Sequence, residues 1–415
     1  ARARRRPDGG ATLAPLRHPA GGITHAGRPG LPAREALLRA RSLAVRGAAE
    51  WVPLAGVPGR RLAADVVALH DVPVAAGSAM DGWAVRAADG RRARRLAGES
   101  AAGHAPGAAL APGEAFRIST GALLPAGADA VVRREDGREI GDRLLVEVAV
   151  AAGAHVRPRG DDVTAGERLL AAGTVVAAHE ASVIAAAGHV GAHCVARPRV
   201  AFATTGDELV APGGDVPAAC RFEANLAGLA AQAAAAGAAV GRHLHLPDEP
   251  RATRAGLAAL LEDEPDVLVT VGGISVGRHD HVGGALERLD ARWALRGVAM
   301  RPGHPAGVAV RGSTVILALP GNPAAAAVAF HVLGRAVLGV REDWTRRARL
   351  AVAHGRHPFA TAFVRCTDGP GGLTPLERQG SAQLASLAGA RVLAWVAPGD
   401  APVAAGEHLP VSRMP

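Results

Sequence analysis

The spacing of apolar and polar positions changes period repeatedly between Pro198 and about Val340, and that alternation organises the chain. VAFATT, GRHLHL, DVLVTV, RWALRGVAM and TVILAL read as strands, whereas NLAGLAAQAAAAG, RATRAGLAALLED, GGALERLD and PAAAAVAFHVLGRAVL carry helical spacing. The succession predicts a doubly wound α/β domain. DVLVTV, from Asp266, is nearly free of polar residues, as a strand buried on both faces of a parallel sheet must be. It breaks abruptly into GGISVGRHDH, where Gly272, Gly273 and Gly277 permit a sharp turn before a helix.

Outside that region the patterns are shorter. Residues 1–30 are Arg, Gly, Pro and Ala without apolar periodicity, which predicts a disordered tail; no apolar core follows the arginines, so a targeting signal is not expected. From Leu31 the spacing of Ala36, Leu37, Ala40, Leu43 and Ala44 predicts a helix with Pro32 at its first turn. Around Asp81, an Asp-Gly pair before Trp83 suggests a hairpin turn entering a strand. AFRIST, ADAVVRRED and RLLVEVAV then predict a β-rich insertion, followed by a turn-dense connector. AAHEASVIAAAG, from Ala177, reads as a helix with Glu180 near its start, where a carboxylate also favours the helix dipole. The segment 341–415 returns to short strands separated by PGG, PGD and AGE turns.

Composition narrows the class. No uninterrupted apolar span is present, so the 415-residue chain is expected to be soluble, without contact with a membrane. Cys194, Cys220 and Cys366 lie far apart, which argues against a disulfide framework and a zinc cluster and fits a cytoplasmic protein. The net charge of +9 raises nucleic acid as a partner, but every basic residue is arginine and aromatics are scarce, so nucleic-acid binding is not expected.

Candidate chemistry gathers in four polar loops that follow predicted strands: TTGDE, GGISVG, RPGHP and PGNP. At one edge of an open sheet such loops form a ligand site, with backbone donors for phosphate, carboxylates for a cation and Arg301 for a second anion. Each alone is also an ordinary turn, and Asp207 or Asn322 is also an ordinary helix cap. Asparagine occurs only at Asn225 and Asn322.

DVPVAAGSAMDGWAVR, RISTGALLPAGADAVV, RPRGDDVTAGE, TTGDELV, VGGISVGRHDH, MRPGHP, LPGNP and QGS, in this order, resemble the molybdopterin molybdenumtransferase family, which includes the gephyrin E domain. The resemblance runs from about Leu31 to the C-terminus. It implies an α/β multidomain fold: an elongated N-terminal domain (31–70 with 151–178), an inserted β domain (71–150), a central doubly wound molybdopterin-binding domain (179–340) and a small C-terminal β barrel (341–415). It implies insertion of molybdenum, from molybdate, into adenylated molybdopterin with Mg²⁺-assisted release of AMP. It further implies a homodimer sharing its active site between subunits, and a molybdopterin adenylyltransferase as the upstream partner.

By the same resemblance Asp81, Thr120, Glu180, Glu223 and Asp280 are the catalytic positions, with Asp81, Glu223 and Asp280 as metal ligands. Thr205, Gly206 and Asp207, Gly272, Gly273, Ser275 and Gly277, Arg301, Pro302 and Gly303, and Pro320, Gly321, Asn322 and Pro323 are the substrate-binding loops. Arg365 and Ser381 match positions bordering the cleft. The chain departs from the family pattern at Gly77, at Gly297 and His304, where lysines are usual, and at Glu223, where the family usually has Asp. The alternative is an impaired paralogue that binds molybdopterin or its cofactor as a scaffold. A further alternative, a different nucleotide-cleaving enzyme built on the same α/β domain, is disfavoured by the MDG and STG motifs.

Overall fold

The structure, a computed structural model, describes residues 30–274, 281–340 and 344–415. Asp280, Ser275, Gly277 and the arginine-rich tail therefore lie outside the described residues. The chain forms two compact units, residues 48–196 and a larger one combining the segment before Ala48 with Arg197–Pro415. Among the described residues no helix is long and apolar enough to cross a membrane.

In the larger unit, strands β1 (Arg199–Thr205), β2 (Ala239–Leu246), β3 (Val267–Val271), β4 (Arg292–Arg296), β5 (Gly307–Arg311) and β6 (Thr314–Leu319) form one sheet in the order β2-β1-β3-β6-β5-β4. The first four in that order run parallel, and β5 and β4 add antiparallel. Helices α1 (Ala33–Ser42), α2 (Asn225–Ala235), α3 (Pro250–Glu262), α4 (Val282–Arg288) and α5 (Pro323–Ala329) cover the sheet. Alternation decides which residue meets which helix. Val200, Phe202, Val267, Val269 and Leu317 pack with α1, α2 and α5, while Ala201, Ala203, Leu268 and Ile316 pack with α3 and α4. Both faces are apolar at the centre of the sheet, so β3 and β6 read as nearly continuous apolar runs while the edge strands β2 and β4 do not, and each large side chain buried there contributes about 1.5–3 kcal/mol.

Three expectations change. Helix α1, assigned from sequence to the domain of 31–70, packs on the α/β core instead, because its Ala33, Ala36, Leu37 and Ala40 stripe is buried against it. The segment RWALRGVAM is two strands rather than one. Gly297 adopts φ +77°, which a residue with a Cβ rarely takes, and there the chain leaves β4 and enters the strand Val298–Arg301. That strand pairs with Leu31–Pro32 and with Thr361–Gly369 in a separate sheet. Strand β5 was not anticipated at all, being short and hidden behind the RPGHP turn.

After residue 344 the strands Arg347–Arg349, Thr361–Gly369, Gly372–Pro375, Val392–Val396 and His408–Arg413 surround a core of Leu350, Val364, Cys366, Leu373, Leu393's neighbour Val392, and Leu409. A bridge between Leu350 and Leu373 joins the ends of the ladder.

The smaller unit holds a six-stranded sheet built from strands between Gly82 and Val146, matching the β-rich pattern. Its second core joins Val52, Val57, Leu62 and Val66 to Val176, Ile184, Ala187 and Cys194. The helix Ala178–Ala186 thus packs in this unit, which runs to Ala196, and the division expected at 179 falls inside its core.

Candidate functional site

Sheet topology places the site. From β1 the chain crosses outward to β2, then returns to β3 on the other side, so the loops after β1 and β3 part and leave a crevice at the carboxyl ends of the strands. A pocket of about 560 Å³ opens there. Thr204, Thr205 and Gly206 line it after β1, Gly272 and Gly273 after β3, and Pro320, Gly321, Asn322 and Pro323 after β6.

Glycine is required where these loops touch. Gly272 has φ +92°, and a Cβ there would stand 2.6 Å from Thr205 Oγ1. Its amide donates to the Leu319 carbonyl at 3.0 Å, tying the loop after β3 to the end of β6. Both asparagines of the chain lie here. Asn225 Nδ2 donates to the Gly321 carbonyl at 2.8 Å, and Asn322 Nδ2 donates to Ser381 Oγ at 3.1 Å. Asn322 stands at the N-cap of α5, as its type suggests, but its side chain makes no capping bond and spans to the Ser381 loop instead.

The acids are more heavily engaged than expected. Glu223 accepts the backbone amides of Asn225 at 2.9 Å and Leu226 at 3.1 Å, so its carboxylate caps α2. Asp207 Oδ1 accepts the Asp248 amide at 3.1 Å, and Asp248 Oδ2 accepts the Asp207 amide at 3.4 Å. Behind the pocket, Thr204 Oγ1 stands between His243 Nε2 at 3.0 Å and His245 Nδ1 at 3.1 Å. Burial holds the His243 imidazole below its ordinary pKa, with Glu223 opposing the shift.

Several expected site residues lie elsewhere. Asp207, Glu223, Arg301, Pro302, Gly303, Arg365 and Ser381 are not part of the pocket lining, although Pro305, Ala382 and Leu384 from neighbouring positions are. The RPGHP loop follows a strand of the second sheet, which is why it contributes only its far end. Arg365, expected to border the cleft, is fully buried. Its Nη2 donates to the carbonyls of Arg378 at 3.1 Å and Gly380 at 3.2 Å, so it supports the Ser381 loop from beneath. Its Nε and Nη1 find no partner among the described residues, and burial lowers its pKa. His304 Nδ1 lies 2.7 Å from the Val298 carbonyl.

Asp81 and Thr120 belong to the smaller unit and meet there. Asp81 Oδ1 accepts the Thr120 amide at 2.7 Å and its hydroxyl at 2.9 Å, and these two bonds hold the exposed carboxyl below its ordinary pKa. Glu180 Oε2 accepts the Ala177 amide at 2.9 Å, capping the helix Ala178–Ala186. Among the described residues no three His, Cys, Asp or Glu side chains come together as a metal site. Sequence reading missed Arg221, Phe222, Asn225, Asp248 and Leu384 in the lining. Only Asn225 carried a usable signal, through the rarity of asparagine.

Two family models match the chain: the MoeA N-terminal region (domain I and II) over residues 31–188 and a probable molybdopterin binding domain over residues 201–339. The chain is 31% identical to a molybdopterin molybdenumtransferase of Nostoc sp. over 391 residues, 88% of this chain and 89% of that one. It is 36% identical to molybdopterin molybdenumtransferase 2 of Mycobacterium tuberculosis over 299 residues, 68% of this chain and 73% of that one. Among solved structures, a molybdopterin biosynthesis MoeA protein from Pyrococcus horikoshii superposes with a TM-score of 0.81 at 25% identity, covering 92% of this chain and 99% of that one. With the motifs, the crevice and these relatives in agreement, the chain belongs to the molybdopterin molybdenumtransferase family.

Proposed function

We propose that this protein inserts molybdenum from molybdate into adenylated molybdopterin and releases AMP. The observation that carries this reading is the convergence of three strand-end loops on one crevice whose floor is glycine backbone. The amides of Gly273 and Gly321, which donate to no acceptor among the described residues, suit a phosphate, which accepts several hydrogen bonds. Ser381 and Asn322 fasten the C-terminal segment to the crevice, and Arg365 holds that segment in register. Arg221 on the pocket rim has no ion pair or hydrogen-bonded side-chain partner among the described residues and offers charge to an oxyanion.

Asp280, one of the three expected Mg²⁺ ligands beside Asp81 and Glu223, lies outside the described residues, and among those described no three His, Cys, Asp or Glu side chains come together; Mg²⁺-assisted release of AMP is part of the proposal. In the proposal Asp280 joins Asp81, Thr120 and Glu223 as functional positions, Asp81 and Thr120 act from the second subunit of a homodimer, and a molybdopterin adenylyltransferase delivers the substrate in the cytoplasm. AMP release from adenylated molybdopterin, with and without molybdate and Mg²⁺, tests it against an Asp280→Ala control. Molybdate-dependent release abolished by Asp280→Ala is the expected result.

A second reading, a scaffold that binds the pterin without turnover, is favoured by two observations. His304, at a position where the family has lysine, turns its imidazole to the Val298 carbonyl, and Glu223 spends its carboxylate on α2. Tight binding with no AMP would select it.

A further inference from the structure

Phe222 is one of two phenylalanines left outside the cores, and the one of the two that lines the pocket. Phe116, Phe202, Phe330 and Phe363 are all within 3% of complete burial, whereas Phe359 is 66% and Phe222 42% exposed. It belongs to none of the apolar clusters formed by the described residues, so it adds nothing to the cores. It does line the pocket, together with Leu384, which is 47% exposed and equally absent from every cluster. Two large apolar side chains thus stand bare over a floor of glycine and polar groups.

The backbone beneath the ring is fixed. Phe222 lies in the short strand Arg221–Phe222, paired in parallel with Leu209–Val210. The Arg221 amide donates to the Glu208 carbonyl at 2.8 Å and the Glu223 amide to the Val210 carbonyl at 2.8 Å. Immediately after the ring, the Glu223 carboxylate grips two amides of α2. An aromatic ring held this way loses little freedom when a flat ligand covers it, and it gains both buried area and stacking.

We propose that Phe222, with Leu384, is an aromatic platform that takes the face of a planar heteroaromatic ring whose phosphate lies over Gly273 and Gly321. This rests on the reading of the crevice as a phosphate site and deepens it, because it selects ligands that carry both a phosphate and a flat ring. The ring is either the pterin or the adenine of the substrate, and both share the chemistry of a stacking face.

The test is calorimetric titration of the full chain with AMP, a pterin monophosphate, ribose 5-phosphate and inorganic phosphate. The proteins are wild type, Phe222→Ala, Phe222→Trp and Leu384→Ala. Base-on-aromatic stacking predicts that Phe222→Ala weakens a ring ligand about 5- to 100-fold while leaving ribose 5-phosphate unchanged, and that Phe222→Trp restores binding. The ring ligand that loses affinity identifies which ring stacks. Equal binding of both ring ligands by wild type and Phe222→Ala overturns the platform and leaves the phosphate site standing. Equal weakening of ribose 5-phosphate also overturns it, since the residue would then act through the loop. Wild-type protein that binds none of the four removes the phosphate site, and the platform with it. Because Phe222 packs in no core, a melting temperature matching wild type verifies that each variant is folded.

Discussion

Replacing Gly272 by alanine separates two costs that the structure assigns to one residue. At φ +92° an alanine pays about 1–2 kcal/mol for the left-handed backbone, less about 0.4–1 kcal/mol returned by the stiffer unfolded chain. Its Cβ would also stand 2.6 Å from Thr205 Oγ1 and 3.0 Å from the Thr205 carbonyl oxygen, distances at which something must move. Overpacking of that kind costs about 1–3 kcal/mol, so the sum is about 2–4 kcal/mol. Gly312, also left-handed at φ +56°, has nothing within 4 Å of its virtual Cβ and pays only the backbone cost. Thermal unfolding followed by tryptophan fluorescence should lower the midpoint by about 4–15 °C for Gly272→Ala and by less than about 5 °C for Gly312→Ala. In a Thr205→Ala background, where Oγ1 is gone, part of the Gly272→Ala penalty should disappear. If the two glycine variants melt together, the close approach of the loops after β1 and β3 is not what requires glycine, and the reasoning fails.

Other outcomes follow from the engaged acids and the buried thiols. Thr120→Val removes the hydroxyl that holds Asp81 ionised but keeps the amide, so the Asp81 pKa should rise toward the ordinary carboxylate value in a carbon-detected NMR titration. Because the folded pKa is depressed, the stability linked to Asp81 is present above the unfolded carboxylate pKa and is lost as pH falls through the folded one. That loss should begin at higher pH in Thr120→Val, and an unmoved titration would refute the assignment. Glu223→Ala should cost about 1 kcal/mol as a lost helix cap, and Glu223→Gln much less; Mg²⁺ that raises the wild-type melting temperature but not that of Glu223→Ala would make Glu223 a cation ligand instead. Burial pushes the Cys366 thiol up to about 12 and raises that of Cys194, so in native protein a disulfide reagent should modify Cys220 alone, the other two reacting only after denaturation.

Much of the α/β unit was legible because its signals are local. A strand covered by helices on both faces must be apolar at every position, and Val267–Val271 satisfies this with little polar interruption. Loops that end such strands need glycine or a polar turn former, which marked Thr205, Gly206, Gly272, Gly273 and Pro320–Pro323, all of which line the crevice. Family resemblance alone puts Arg365 at the cleft border; here its side chain is buried under the carbonyls of Arg378 and Gly380, a placement that no local pattern announces. Glu180 stands near a predicted helix start and also at a family catalytic position, and Glu223 at a family catalytic position; the contacts of both here are those of helix caps. Phe222 and Leu384 carried no signal, since an apolar residue is expected inside and nothing local says otherwise.

The sequence by itself determined the period of most segments, the glycine turn after DVLVTV, and the motif order that places the chain in its family. Those properties depend on a residue and its near neighbours. Only the tertiary structure decided that α1 packs on the α/β core, that Gly297 sends one strand to a different sheet, and that the helix Ala178–Ala186 closes the smaller unit. It also decided which loops share the crevice. An apolar stripe specifies that a face must be buried but not against what, and that choice is made by partners hundreds of residues away.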